Sequence, residues 1–289
     1  YDKIPTTLPV GESTVGGISY KLKVEESLRV IARFLGYSEA MSYSFESPKV
    51  YDKLCIPKDS KERLAIEISN PLGEDYSIMR TSPLNGLLTS LSTNINRRNK
   101  NVKLYELANI YLPKELPLKE LPDERMQFCL GFYGEGDFFS MKSVVEEMLT
   151  TAGLFDRINY DPSCDRPYLH PGRRAEIIYN DVSLGYIGEV HPEVLDNYNI
   201  KSRAYVAVLD MPSIDPFTSF DVKYEGIAKY PAISRDISMV VPKDIPVAEI
   251  EKIIEKNSGK ILESYELFDI YEGEQIEAGY KSVAYNIVF

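Results

Sequence analysis

Few residues in this chain could do chemistry, and their spacing points to holding charge rather than to breaking bonds. The two histidines, His170 and His191, are each followed by proline. Proline confines its predecessor to extended backbone, so both pairs read as turn elements before they read as ligands. A Ser–His–Asp arrangement cannot be assembled from two such histidines. Cys55, Cys129 and Cys164 lie far apart with no CxxC, which predicts reduced thiols rather than a zinc site or a redox pair. There is no GxxxxGK[ST] and no GxGxxG, hence no phosphate-cradling loop. The best anion-binding candidate is His170-Pro171-Gly172-Arg173-Arg174, a glycine turn with backbone N–H groups beside two guanidinium forks. The plainer reading is an exposed turn with solvated arginines. A second basic cluster, Arg97, Arg98, Lys100 and Lys103, follows an apolar helical pattern, where cations oppose the negative end of the helix dipole.

The elements that would position these groups begin with the stretch SNPLGEDYSIMRTSPLNGLLTSLSTNINRR, Ser69 to Arg98. It predicts a Pro-Gly turn, a short strand ending in Met79-Arg80-Thr81, and a helix capped by Ser82 with Pro83 at its first position. Leu84, Leu87, Leu88, Leu91 and Ile95 recur at helical spacing and define one apolar face. Upstream, a helix is expected from Lys23 to Leu35 with Val24, Leu28, Ile31, Ala32 and Leu35 on one side, then a strand from Tyr37 to Phe45. Downstream come strands at Val102–Leu112 and Met126–Tyr133, the latter apolar enough to be central in a sheet. A helix at Phe139–Ala152 follows, then strands Ala175–Tyr179 and Leu184–Val190 joined by a turn at Asn180-Asp181, and a strand Ala204–Leu209. The lack of regular βαβ alternation favours an α+β class. After a PSIDPFTSF linker, the order strand (Arg235–Val241), helix (from Pro246, with Ile250, Ile253, Ile254 and Asn257 on one stripe), strand (Ile261–Tyr271), strand (Ser282–Phe289) is β-α-β-β. A split βαβ unit has a further helix and strand, so the chain reads as truncated.

Bulk properties narrow the function. A net charge of −11 over 289 residues excludes a broad basic nucleic-acid-binding surface without excluding a local one. No apolar run approaches the roughly 20 residues of a membrane span, and the N-terminus YDKIPTTLPVGES is no signal peptide, so a cytoplasmic place is expected.

Four stretches carry a resemblance to the β chain of bacterial phenylalanyl-tRNA synthetase. They are YDKIPTTLP (1–9), SNPLGEDYSIMRTSPLNGLL (69–88), LHPGRRAEIIYNDVSLGYIGEVHPEVL (169–195), and YPAISRDISMVV (230–241) with LFDIYEGEQIEAGYKSVAYNIVF (267–289). The resemblance implies four segments. Residues 1–19 would be a linker and the tail of a preceding DNA-binding-like (B5) module. Residues 20–212 would form a non-catalytic class II synthetase-like core, an antiparallel sheet flanked by helices. Residues 213–228 would be a linker, and residues 229–289 the start of a truncated ferredoxin-fold anticodon-binding domain.

In that family the α chain joins phenylalanine to tRNA(Phe) using ATP and Mg2+, within an (αβ)2 heterotetramer. Class II catalysis uses a Phe-Arg-x-Glu motif, whose strand here is similar to Lys103–Ala108, with Glu106 and no arginine. The glycine-rich third motif ending in Glu-Arg is unreadable in residues 175–210. The editing domain and the acidic residues that share a magnesium site lie upstream in the family, so no catalytic residue, cofactor or metal ligand carries over. The helix carrying Val24, Leu28, Ile31 and Leu35 looks like the motif-1 region that builds the subunit interface, with core packing as the plainer role. An open sheet face would present Asp236, Ser238 and Asn286, with Tyr230, Arg235, Lys281 and Tyr285 as RNA-stacking or phosphate candidates. An excess of acid, 11 Asp and Glu against 7 Lys and Arg over 229–289, works against RNA affinity there. Two other classes stay in view: a free-standing adenylate-forming ligase, for which Arg80 and Arg173 are the plausible arginine pair, and an interaction or regulatory protein with the same core.

Overall fold

Ser19 starts the first helix: its hydroxyl accepts the Leu22 N–H at 3.3 Å, and α1 runs from Tyr20 to Phe34. This computed structural model describes residues 2–8, 10–155, 158–224, 226, 230–273 and 275–289, so parts of the N-terminal stretch and of the expected linker lie outside it. The chain divides into two units at Asp221/Val222.

The strand expected over Tyr37–Phe45 is broken into β1 (Ser38–Glu39) and β2 (Phe45–Glu46). The cause is local. The Ser42 N–H turns to a side-chain carboxylate on Glu106 at 3.3 Å, which leaves it unavailable to a ladder. After α2 (Val50–Lys53), β3 (Ile78–Met79) pairs with β2, and α3 follows at Leu84–Asn96. The helix begins at Leu84 with Pro83 in the cap position, one residue later than the sequence suggests, and the Ser82 hydroxyl accepts the Leu84 N–H at 3.3 Å.

Next along the chain are β4 (Val102–Leu112), β5 (Asp123–Tyr133), α4 (Phe138–Thr151), β6 (Asn159–Asp161), β7 (Leu169–Tyr179), β8 (Val182–Val190), α5 (Pro192–Asn197), β9 (Ala204–Asp210) and α6 (Met211–Ile214). The seven-stranded sheet has the order β1-β4-β5-β9-β8-β7-β6, antiparallel throughout except for β1 beside β4. β5 is third of the seven and buried along most of its length. The β7–β8 turn has positive φ at both Asn180 (47°) and Asp181 (62°), the backbone of a type I′ hairpin.

Strand alternation splits the unit into two cores. On one face the α3 leucines 84, 87, 88 and 91 meet Leu104, Cys129, Tyr186, Val206 and Val208. On the other, Val24, Leu28 and Ala32 of α1 and Met141, Val145 and Met148 of α4 meet Tyr105, Phe128, Ile177, Ile187 and Leu209. The segment expected as linker from residue 213 is instead part of this unit up to about residue 220. Ile214 is fully buried, and Phe217 and Phe220 pack on the same core.

In the second unit β10 (Ser234–Pro242), α7 (Val247–Ser258), β11 (Ser264–Tyr271) and β12 (Tyr280–Val288) form β-α-β-β with strand order β10-β12-β11. Ile250 and Ile254 of α7 cover Val283, Tyr285 and Ile287. Ile253 and Asn257, expected on the same stripe, face outward, because the face laid on the strands runs through Val247, Ile250 and Ile254.

Candidate functional site

One cross-strand row defines the face of the large sheet beneath α3. Glu106 on β4 stands opposite Cys129 on β5, Cys129 opposite Val208 on β9, Val208 opposite Tyr186 on β8, and Tyr186 opposite Glu176 on β7. Directly opposed residues share a face, so the row carries a carboxylate at each end and an apolar middle.

Both carboxylates are neutralised from within the chain. Arg80 donates from Nη1 to Glu106 Oε1 at 2.9 Å, and the two side chains are only 6% and 4% exposed. Its Nε donates to the Asn109 carbonyl at 2.6 Å, and Nη1 also reaches the Ser42 hydroxyl at 3.0 Å. The Ser42 hydroxyl lies 2.9 and 2.8 Å from the two Glu106 oxygens, so the buried charges are paired and hydrogen-bonded on every side. Gly86 of α3 passes directly above: a Cβ there would lie 2.2 Å from Ser42 Oγ. At the other end Arg166 pairs with Glu176 at 3.3 Å while its guanidinium covers the Tyr186 ring at 4.6 Å. Tyr168 packs against Tyr186 with ring centroids 5.7 Å apart. Burial pushes the Tyr186 hydroxyl up, and burial, then the nearby Glu106, pushes the Cys129 thiol up. The row therefore holds neither a free base nor a thiolate.

Beside it, Arg125 grips Asp210 through Nε and Nη2, and Asp210 also caps α6 at Ser213. Burial alone would raise the Asp210 carboxyl, but the bonds from Arg125 and Ser213 outweigh it and hold the group below its ordinary value of 3.8. A depressed pKa adds stability above the unfolded-state value, and this is lost as pH falls through the folded-state one. Acid unfolding followed between about pH 5 and pH 2 should accordingly be shallower in Asp210→Asn than in the parent chain, the two converging at the acid end.

The remaining candidates are placed as follows. The Gly172 N–H is donated to His170 Nδ1 at 3.1 Å, Arg173 is bound to Glu189, and Arg174 donates to the Arg166 carbonyl at 3.0 Å. Residues 170–174, expected as a glycine turn, are instead the irregular start of β7, and these donors are taken up within the chain, while Arg80 and Arg173, expected as an arginine pair, are each held by a separate carboxylate. His191 accepts the Glu193 N–H at the start of α5. Val24 and Leu28 are 0% exposed and lie in the chain's own core, with Ile31 and Leu35 packed against it, so the first two cannot touch another subunit.

In the second unit the register corrects the expected RNA-binding set. Arg235 lies opposite Ile287, Lys281 opposite Val241 and Tyr285 opposite Ile237, all on the side covered by α7. Tyr285 is fully buried and its hydroxyl donates to Glu251 at 3.3 Å. Lys281 donates to the Lys243 and Ile245 carbonyls at 3.1 and 2.7 Å. Arg235 and Tyr230 are exposed. The open side carries Asp236, Ser238, Ser282 and Asn286, with Asn286 bonded to Asp236 at 2.6 Å and Ser238 to Ser282 at 3.2 Å. What sequence reasoning missed is the Arg166–Glu176 closure. The alternation of β7 put Glu176 on the α3 side, but Arg166 lies in the irregular segment before β7, and nothing local assigns it a partner.

A solved structure of pyrrolysyl-tRNA synthetase from Desulfitobacterium hafniense superposes on this chain with a TM-score of 0.56, covering 68% of each chain at 14% identity. The layered sheet is thus an aminoacyl-tRNA synthetase fold. The family described as phenylalanyl tRNA synthetase beta chain CLM domain matches residues 4–211, and the ferredoxin-fold anticodon binding domain matches residues 228–289. Phenylalanine–tRNA ligase beta subunits from Clostridium tetani and Clostridium acetobutylicum are each 39% identical over 289 residues, and that of Bacillus subtilis is 36% identical over 303. All of this chain is covered in each case, and the chain spans about a third (36%) of the length of those relatives. The chain belongs to the phenylalanyl-tRNA synthetase beta chain family.

Proposed function

We propose that this chain is a non-catalytic part of the β subunit of a phenylalanine–tRNA ligase, a class II-like core and an anticodon-binding-type unit that serve an α chain and tRNA(Phe) in the cytoplasm. The observation that carries this reading is the closed row: Glu106 and Glu176 are occupied by Arg80 and Arg166, and Cys129, Val208 and Tyr186 fill the space between them. A nucleotide needs free cationic forks for its phosphates and free carboxylates for its magnesium, and this face offers neither, so ATP and Mg2+ do not fit these residues. In this reading both belong with the α chain, within the (αβ)2 assembly.

Docking on the α chain falls to the outer side of α1 rather than to its buried stripe. Phe34 is 82% exposed beside a groove of about 520 Å3 lined by Ile18, Lys23, Val30 and Ile31. Val24, Leu28, Ile31 and Leu35 would hold the helix in place behind that surface. Exposed aromatics at the centre of an interface commonly contribute 2 kcal/mol or more. Co-purification followed by light scattering is expected to give a stoichiometric complex with the α chain, and Phe34→Asp to weaken it by about 30-fold or more. A parent chain that remains alone with a folded circular dichroism spectrum would overturn the docking assignment. For the tRNA, Tyr230 and Arg235 are the exposed members of the candidate set, so RNA contact is assigned to them and not to the acidic open side.

A further inference from the structure

Next to the Arg80–Glu106 end of the closed row, between β2, α2 and α3, lies a cleft of about 500 Å3, which Ser42, Arg80 and Gly86 also line. Glu46 of β2 lines it and is only 6% exposed. One of its oxygens, Oε2, accepts from Asn85 Nδ2 at 3.0 Å, and Asn85 is fixed in turn by the Tyr198 hydroxyl at 2.9 Å. Among the described residues no other side chain hydrogen-bonds to Glu46. Three rings open to solvent, Tyr43, Phe45 and Tyr76, line the same cleft, with Tyr43 and Tyr76 edge to face at 5.9 Å.

The surrounding charges are mostly accounted for. Lys49 pairs with Glu74 at 2.9 Å, Arg80 with Glu106, and Lys53 sits over the Tyr198 ring at 5.5 Å. Asp75 adds an acid to the wall, and Tyr51 packs behind Glu46 from α2. A buried carboxylate with a lone pair to offer, in a cleft lined by aromatic rings, is an environment that recognises a cationic nitrogen.

We propose that this cleft binds a guanidinium or alkylammonium group, with Glu46 as its counter-ion and Tyr43, Phe45 and Tyr76 as its walls. Burial, only partly offset by Asn85 and Arg80, pushes the Glu46 carboxyl up to about 7. An empty cleft therefore keeps Glu46 about half protonated at neutral pH, and a bound cation drives that proton off. The linkage runs one way. A raised carboxyl stabilises the fold at acid pH, and that contribution fades as pH rises from the ordinary 4.5 through about 7 unless a cation is bound.

The test is titration of n-butylguanidinium into the full chain by calorimetry at pH 7 in two buffers of different ionisation enthalpy. The expected result is saturable binding with release of roughly half a proton per cation. Glu46→Gln, which keeps the shape and the Asn85 contact, should lose binding by tenfold or more and abolish proton release. Tyr43→Ala, at an exposed position, should weaken binding by about two- to fivefold without disturbing the fold. If prior binding of the α chain blocks the probe, the natural cation is a partner's side chain; if the probe still binds, it is a small organic cation. Absence of α-chain binding would count against the proposed function alone, since the probe measurement stands without it. No saturable binding, binding unchanged in Glu46→Gln and Tyr43→Ala, or preference for n-butyl phosphate would each overturn the proposal.

Discussion

Replacing Glu106 by alanine is expected to destabilise the larger unit by about 3–5 kcal/mol, because it strands the Arg80 guanidinium in a site where it is 6% exposed. The guanidinium is almost wholly withdrawn from solvent, touching it only at the cleft it lines. Its Nε already serves the Asn109 carbonyl, and Ser42, left without an acceptor at Glu106, cannot neutralise it. The double change Arg80→Met with Glu106→Leu removes both charges together and should restore most of the loss, since a buried pair replaced by apolar groups of similar volume is often near neutral. Urea midpoints read by circular dichroism settle the matter. A loss under about 1 kcal/mol in the single variant would mean that the pair is not buried as described. Binding of the α chain should survive in the double variant, which separates the pair's structural role from any chemical one.

Gly185→Ala should be comparably severe, about 3 kcal/mol or more, from two independent causes. Its φ is +142°, in a region that costs a residue bearing a Cβ about 1–3 kcal/mol. A Cβ would also lie 2.0 Å from the Val208 carbonyl oxygen, and backbone atoms in a paired strand cannot turn aside as a side chain can. β8 would have to separate from β9 at the row that holds Tyr186 against Val208. Hydrogen exchange of the β8 and β9 amides should rise together, whereas a merely local adjustment would leave β9 protected.

How much of this could be read in advance depended on the range of the interaction. β4 runs over the residues its apolar pattern marks, and the Asn180-Asp181 turn is where its residue types place it, since both signals lie within a few neighbours. The segment Tyr37–Phe45 has strand composition and yet breaks, because the Ser42 amide bonds a carboxylate 64 residues away. Residues 213–220 look like a linker by their Pro, Ser and Asp content, while Ile214, Phe217 and Phe220 bury themselves against strands that their own sequence does not mention. The α+β class and the β-α-β-β order were legible, and so was the absence of an arginine at the Glu106 position. The partner that fills that position was not, as Arg80 comes from another element 26 residues earlier. Parity explains the RNA-binding candidates. Choosing residues by type favoured Arg235, Lys281 and Tyr285, whereas strand alternation puts all three on the α7 side of the sheet, where Tyr285 is buried and Arg235 alone stays exposed.

The row beneath α3 also has an evolutionary consequence. Placing an arginine at Glu106 in one mutational step would set it against Arg80, two cations in one dry site, before any nucleotide could benefit. Turning this row into an anion-binding face would require Arg80, Glu106, Arg166 and Glu176 to change together while Tyr168 and Tyr186 withdrew, since each charge changed alone strands its partner. Charge pairing thus makes the closed row self-locking, each charge kept in place by the cost of stranding its partner.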